Sequence, residues 1–214
     1  MLLYYITDRK QLAEQETERR QKLLAKIEEA AAASIGYIQL RERDLNTREL
    51  ERLAGEAVAI VKSCRSASRL LVNSRTDVAI ASGASGVHLR SDDVSPRDVR
   101  AVFERAGLAK PVIAVSCHSL ANVGAAESDG ADLATFGPVY GKLGSPASLG
   151  IEALRSVCHR TVPGGLKRMP VFALGGVTVD NAFACAEAGA SGVAAIRMFQ
   201  ENEIATVVSK LRDL

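Results

Sequence analysis

The sequence contains no tryptophan, and aromatic residues make up only 4% of its 214 positions. Single-stranded nucleic acids are held on platforms of exposed rings, so this scarcity argues against such a surface. An excess of either charge is also missing. Lys+Arg 27 against Asp+Glu 25 leaves +2, far from the basic footprint of a nucleic-acid binder. No apolar run approaches the ~20 residues needed to cross a bilayer. The opening Met1-Leu2-Leu3-Tyr4-Tyr5-Ile6-Thr7-Asp8 meets a charge too soon for a secretory leader. These absences predict a cytoplasmic protein with neither nucleic acid nor membrane among its partners. Thiols and imidazoles are sparse as well. Cys64, Cys117, Cys158 and Cys185 contain no closely spaced pair, and His88, His118 and His159 form no ligand cluster. Four reduced, mostly buried cysteines and no structural zinc are expected.

What is present is apolar and regular. Hydrophobic residues are 47% and charged residues 24%, the balance of one soluble domain, residues 1–214, with a sizeable core. Short β-leaning runs recur at Leu2–Ile6, Tyr37–Leu40, Arg69–Val72, Gly86–Leu89, Val112–Val115, Leu133–Phe136, Val171–Leu174 and Val193–Ile196. They are continuously apolar rather than alternating, as strands buried on both faces are. Helical spacing fills the gaps: Leu50, Leu53, Ala54, Ala57, Val58 and Val61 form one stripe, and Val179, Ala182, Phe183 and Ala186 another. The first connection, from about Gln11 to Ser34, reads as one long amphipathic helix.

The joints repeat. Gly83-Ala84-Ser85-Gly86-Val87 recurs as Gly189-Ala190-Ser191-Gly192-Val193, and Gly130-Ala131-Asp132-Leu133 is a near copy. In each, glycine ends a helix and a short turn feeds a strand. Eight strand–helix units predict a parallel α/β fold. A doubly wound open sheet is the alternative, but it seldom fits eight strands into so short a chain. A single (βα)8 TIM barrel of near-minimal length fits better, since such barrels run from about 200 residues upward. Two Pro/Gly-rich loops, Gly137–Gly150 and Pro163–Pro170, interrupt the pattern. The first follows the sixth strand on the face where barrel chemistry collects.

Barrel sites are built from polar residues at the carboxyl ends of strands. Those ends offer Thr7, Asp8 and Arg9; Gln39, Arg41 and Arg43; Asn73, Ser74 and Arg75; His88 with Arg90, Asp92 and Asp93; Ser116, Cys117 and His118; Gly175-Gly176; and Arg197. Gln39, Arg41 and Arg43 alternate, which puts three donors on one strand face and suits an anion. The plain alternative pairs the arginines with Glu42 or Asp44. Asp92 and Asp93 precede Ser95-Pro96 and read equally as a helix N-cap or, for Asp93, as a metal ligand. His88, inside a strand, reads as a core histidine, and His118 as a helix cap or a proton-transfer group. Cys117 and His118 face opposite ways, which excludes a Cys–His nucleophile pair. Gly175-Gly176 lets backbone N–H groups approach an anion where barrels usually hold phosphate, and Arg197 adds charge there. A small phosphorylated ligand is the class these residues fit.

Several runs resemble a known family. Tyr5-Ile6-Thr7-Asp8-Arg9, Gln39-Leu40-Arg41-Glu42-Arg43, Asn73-Ser74-Arg75-Thr76-Asp77, Gly86-Val87-His88-Leu89, Gly137-Pro138-Val139-Tyr140, Ala173-Leu174-Gly175-Gly176-Val177 and Ala188-Gly189-Ala190-Ser191-Gly192-Val193 are similar to thiamine phosphate synthases and the related thiazole tautomerases. The resemblance spans nearly the whole chain in order. It implies a barrel that joins a pyrimidine diphosphate to a thiazole phosphate and releases pyrophosphate. It implies Mg2+ on Asp93, and Gln39, Arg41, Arg43, Asn73 and Ser116 around the pyrimidine diphosphate. It places the thiazole phosphate on Gly175, Gly176, Ile196 and Arg197, gives catalytic roles to Arg41, Arg43, Ser116 and His118, and makes a homodimer plausible.

The departures fall on ligand positions. Arg43 stands for a lysine, Ser74 for a metal-binding aspartate, Lys142-Leu143-Gly144-Ser145 for a Thr-x-Thr-Lys run, and Arg197 for a small serine-containing turn. Lys142 is the candidate to supply the missing charge of that run. Pro138 stands where the tautomerase branch commonly has histidine, although Ser116-Cys117-His118-Ser119-Leu120 resembles that branch. A synthase comes first. A tautomerase, or a silent phosphate-ligand binder of thiamine metabolism, remains the alternative.

Overall fold

The computed structural model describes residues 1–141, 147–161 and 168–212. Eight parallel strands close into a barrel in sequence order: β1 (Leu2–Ile6), β2 (Tyr37–Leu40), β3 (Arg69–Asn73), β4 (Gly86–Leu89), β5 (Val112–Cys117), β6 (Leu133–Phe136), β7 (Val171–Leu174) and β8 (Gly192–Ala195). β3 and β5 run one and two residues beyond the expected ends, and β8 starts and stops one residue early. The helices are α1 (Glu16–Ala32), α2 (Thr47–Ser63), α3 (Thr76–Ser82), α4 (Pro96–Arg105), α5 (Leu120–Ser128), α6 (Ile151–Cys158), α7 (Ala182–Glu187), α8 (Arg197–Gln200) and α9 (Ile204–Arg212).

Because strand side chains alternate, one set fills the barrel and the other meets the helices. Tyr5, Ile38, Leu70, Val72, Val87, Ile113 and Phe136 face outward and merge with the α2 stripe Leu50, Leu53, Ala54, Ala57, Val58 and Val61. Inward, Tyr4, Leu71, Ala114, Leu133, Phe172 and Ala194 form a second, smaller core. The rings of Tyr4, Tyr37 and Phe172 meet at centroid distances of 5.6 to 5.9 Å, mostly edge to face. They fill the barrel interior around Tyr4.

The repeated joints share one geometry. Ser85 N–H donates to Leu70 O at 2.9 Å and Ser191 N–H to Val171 O at 2.8 Å. A Cβ on Gly86 would lie 1.9 Å from Val112 O, and one on Gly192 2.2 Å from Leu2 O. Only glycine lets these strands seat against the next one.

The first connection differs from expectation. Arg9–Gln11 is a 3-10 turn and α1 begins only at Glu16, whose carboxylate accepts from Arg9 Nε at 2.7 Å. Arg9 is held by partners on the β2 side, and a continuous helix from Gln11 would pull it away from them. α7 likewise starts at Ala182, after the turn that carries Val179. The N-cap of α4 is Ser95, whose Oγ accepts from Asp98 N–H at 3.1 Å, so neither Asp92 nor Asp93 caps it. Asp92 instead pairs with Arg90. All four cysteines are free; three are buried and Cys64 is half-buried. Among the described residues no helix is long and apolar enough to cross a membrane.

Candidate active site

A cavity of about 1300 Å³ opens at the carboxyl ends of the strands. Its floor has two characters. β2 to β5 contribute Gln39, Asn73, His88 and Ser116, whereas Ile6, Leu174, Ala194 and Ile196 line the other side. Gln39 Nε2 donates to Asn73 Oδ1 at 2.8 Å, and His88 Nε2 lies 2.8 Å from Ser116 Oγ. His88 is buried, and burial followed by the nearby Arg41 charge pushes its pKa down to about 3. It is the neutral core histidine the sequence suggests.

Arg41, Arg43, Arg90, Arg197 and Lys210 bring positive charge to the wall, against Asp92, Asp180 and Glu201. Arg41 and Arg43 form no ion pair among the described residues, although Glu42 and Asp44 are their neighbours. The reason is Arg9. Its Nη1 donates to Glu42 Oε2 at 3.1 Å and to Asp44 Oδ1 at 2.7 Å, and its Nη2 to Asp44 Oδ2 at 3.0 Å. Thr7 Oγ1 donates to Glu42 Oε1 at 2.6 Å and accepts from Arg41 N–H at 2.9 Å. Thr7 and Arg9, expected to point at a ligand, instead form a buried ionic clamp beside the cavity. The clamp consumes the neighbouring acidic residues and leaves Arg41 and Arg43 without an ion-pair partner among the described residues. Burial, and then the like charge of Arg43, lower the pKa of Arg41, so an anionic ligand would relieve both penalties.

Across the cavity, Gly175 and Gly176 have φ of +94° and +68°. A Cβ on Gly175 would lie 2.5 Å from Pro138 Cα, and one on Gly176 2.8 Å from Tyr140 Cβ. The pair therefore docks the β7 loop onto the β6 loop, where Tyr140 N–H donates to Gly175 O at 2.9 Å. Asn181 Nδ2 donates to Gly176 O at 3.0 Å and Asn181 Oδ1 accepts from Thr178 N–H at 2.8 Å, bracing the turn. The amides of Gly176 and Val177 have no acceptor among the described residues. Both residues line the same cavity as Ile196 and Arg197, a combination chemically suited to a phosphate.

Asp93 lies beside the cavity rather than on its wall. Its Oδ2 accepts from Ser74 Oγ at 2.6 Å and from Arg90 N–H at 2.7 Å, while Oδ1 has no protein donor among the described residues. No group of three or more His, Cys, Asp or Glu side chains converges among the described residues. One free carboxylate oxygen fits a magnesium ion that takes its other ligands from water and a substrate diphosphate. Ser74 has φ +57°, a left-handed conformation that aspartate adopts more readily than serine. Ser74→Asp should therefore be tolerated by the backbone. In chelator its carboxylate would face Asp93 and lower stability by about 1 kcal/mol, and millimolar magnesium would reverse the loss. Calorimetric melting with and without magnesium measures this; a melting temperature indifferent to magnesium would show that no cation enters between residues 74 and 93.

His118 sits at the rim, where its Nδ1–H donates to Gly137 O at 2.6 Å. A carbonyl only accepts, so in the neutral imidazole Nε2 carries the lone pair. Ser119, not His118, caps α5, accepting from Asn122 N–H at 3.1 Å. Cys117 faces the helix layer, and burial pushes its thiol pKa up to about 12. Lys142 falls outside the described residues. The structure thus brings together Gln39, Arg41, Arg43, Asn73, Ser116, His118, Gly175, Gly176, Ile196 and Arg197 in one cavity, with Asp93 alongside. Sequence reasoning missed Lys210, Asp180 and Glu201 on the wall. It also missed Tyr4 beneath the floor, because its run reads as purely apolar.

The family model for thiamine monophosphate synthase matches residues 3–199. The chain is 36% identical over 201 residues to "Putative thiamine-phosphate synthase 2" of Aquifex aeolicus, covering 93% of this chain and 97% of that protein. It is 36% identical over 175 residues to a thiamine-phosphate synthase of Chlorobium luteolum, covering 79% and 76%. Its fold is similar to that of a thiamine phosphate pyrophosphorylase from Pyrococcus furiosus, with a TM-score of 0.79, 26% identity and coverage of 99% and 94%. Barrel, two-sided cavity and these likenesses agree: the chain belongs to the thiamine monophosphate synthase family.

Proposed function

We propose that this protein joins a hydroxymethylpyrimidine diphosphate to a thiazole phosphate and releases pyrophosphate. One observation carries the reading: a single cavity has Arg41 and Arg43 on one side and Gly176, Ile196 and Arg197 on the other, two sets of groups suited to anions. A one-phosphate substrate would need only one. The Gln39–Asn73 pair and Ser116 supply fixed polar atoms to orient a heterocycle between them. As the methylene C–O bond breaks, its electron pair leaves with the diphosphate, and Arg41 and Arg43 stabilise the charge that develops there. The thiazole nitrogen then donates its lone pair to the methylene carbon. Magnesium, when held by Asp93, adds positive charge to the leaving group.

Purified protein given both compounds and magnesium should release pyrophosphate, and omitting either compound should stop it. Arg41→Ala should lower kcat/KM roughly 10- to 100-fold, the worth of a charge-assisted hydrogen bond. No pyrophosphate from the wild-type protein would overturn this function. The lone pair on His118 Nε2 favours a second reading, isomerisation of a thiazole carboxylate phosphate. That activity would need no pyrimidine and would survive chelator.

A further inference from the structure

The cavity floor rests on a buried chain of three side chains from three strands. Tyr4 Oη lies 2.7 Å from His88 Nδ1, and His88 Nε2 lies 2.8 Å from Ser116 Oγ. Tyr4 is fully buried and packed against Tyr37 and Phe172, and His88 is 2% exposed. The direction of these two hydrogen bonds decides which face Ser116 shows to a ligand.

Two arrangements satisfy the distances. In one, the Tyr4 hydroxyl donates to Nδ1, Nε2 carries the imidazole proton and donates to Ser116 Oγ, and the Ser116 proton is free. In the other, Nδ1–H donates to Tyr4, Ser116 donates to Nε2, and the phenolic proton needs an acceptor of its own. Among the described residues Tyr4 Oη has no partner except Nδ1. The second arrangement therefore leaves an O–H unpaired in an apolar interior, which buried polar groups rarely tolerate. Burial also holds the phenol protonated and the imidazole neutral, so neither ring escapes the choice by ionising.

We propose that Tyr4 is a positioning residue: through His88 it holds Ser116 as a hydrogen-bond donor aimed into the cavity. Thr135, the register neighbour of Ser116 on β6, forms no hydrogen bond with it. The freed Ser116 proton therefore points to a ligand acceptor, a ring nitrogen or a phosphate oxygen. This deepens the function proposed above and rests on it only for the identity of the acceptor.

The test is a 15N spectrum of histidine-labelled protein without ligand. The expected result is His88 locked as the Nε2–H tautomer, with Nδ1 showing the signature of an acceptor, unchanged from pH 6 to pH 8. Tyr4→Phe should convert this signal to a mixture of tautomers. A wild-type Nδ1–H tautomer, or a tautomer that ignores Tyr4→Phe, would overturn the proposal. Kinetics supply the second arm. Tyr4→Phe should lower kcat for the condensation about tenfold with KM nearly unchanged, and should cause no further loss in a Ser116→Ala background. A tenfold loss that persists in that background would assign Tyr4 to packing alone. The spectra are read without substrate, so failure of the proposed reaction and failure of the tautomer assignment are separate results.

Discussion

Replacing Arg9 by methionine is expected to cost about 3 to 5 kcal/mol of folding stability, the usual penalty for stranding one partner of a buried ion pair. At this chain length that lowers the melting temperature by about 6 to 20 °C. Arg9 is buried and touches three carboxylates, of which Glu42 is also buried and Asp44 and Glu16 are partly exposed. Burial raises the pKa of Glu42 despite its bonds to Thr7 and Arg9, and removing the guanidinium raises it further. A carboxyl group whose folded pKa lies above its unfolded value adds stability below the unfolded pKa and loses it as pH rises through the folded pKa. Asp44 behaves oppositely. Its bonds to Arg9 depress its pKa, so it adds stability above the ordinary carboxylate range, which the variant forfeits there. The Glu42 effect makes the Arg9→Met penalty larger at pH 8 than at pH 5, whereas the Asp44 contribution is already complete at both. Urea unfolding at the two pH values measures it, and a penalty below 1 kcal/mol or equal at both would refute the clamp. Arg41 hangs from Thr7 by its backbone N–H, so the same variant should also bind anions more weakly.

Gly176→Val should abolish tight binding of a phosphorylated thiazole while leaving the Arg41 end intact. A β-branched residue at φ +68° is strained by about 1 to 3 kcal/mol. Its Cβ would also sit 2.8 Å from Tyr140 Cβ and 3.0 Å from Gly141 O. Relief requires the β6 and β7 loops to part, which withdraws the Gly176 and Val177 amides from the cavity. Titration calorimetry should show at least a hundredfold weaker thiazole phosphate binding, equivalent to about 2.7 kcal/mol, with pyrophosphate affinity nearly unchanged. Thiazole phosphate affinity retained in a folded variant would remove these amides from the site.

Much of the barrel is legible because its signals are local. Buried parallel strands are apolar without interruption, and the outward stripe of α2 falls on the residues its spacing names. The glycine joints mark where helices stop. The start of α1 is not legible, since it depends on Arg9 reaching across to Glu42 and Asp44, more than thirty residues away. Ligand positions at strand ends are readable as a set, because topology gathers them whatever lies between. Their assignments are not: Thr7 and Arg9 look like Arg41 and Arg43 in sequence, and only packing separates clamp from ligand site. Tyr4 stays hidden for a related reason. A tyrosine in an apolar run looks like core until its hydroxyl is seen to have one partner.

The recurring five-residue joint falls on β4 and β8, the last strands of the two halves. Gly86 seats β4 on the start of β5, and Gly192 seats β8 on the start of β1. The seam between the halves and the seam that closes the ring are thus the same fastening used twice. Mechanically the barrel is a pair of half-shells with matching clasps. Arg41 and Arg43 lie on the first shell, and Gly176, Ile196 and Arg197 on the second. Joining the shells is what brings these two sets of residues to face one another across the cavity, so its lining depends on the same pair of glycines.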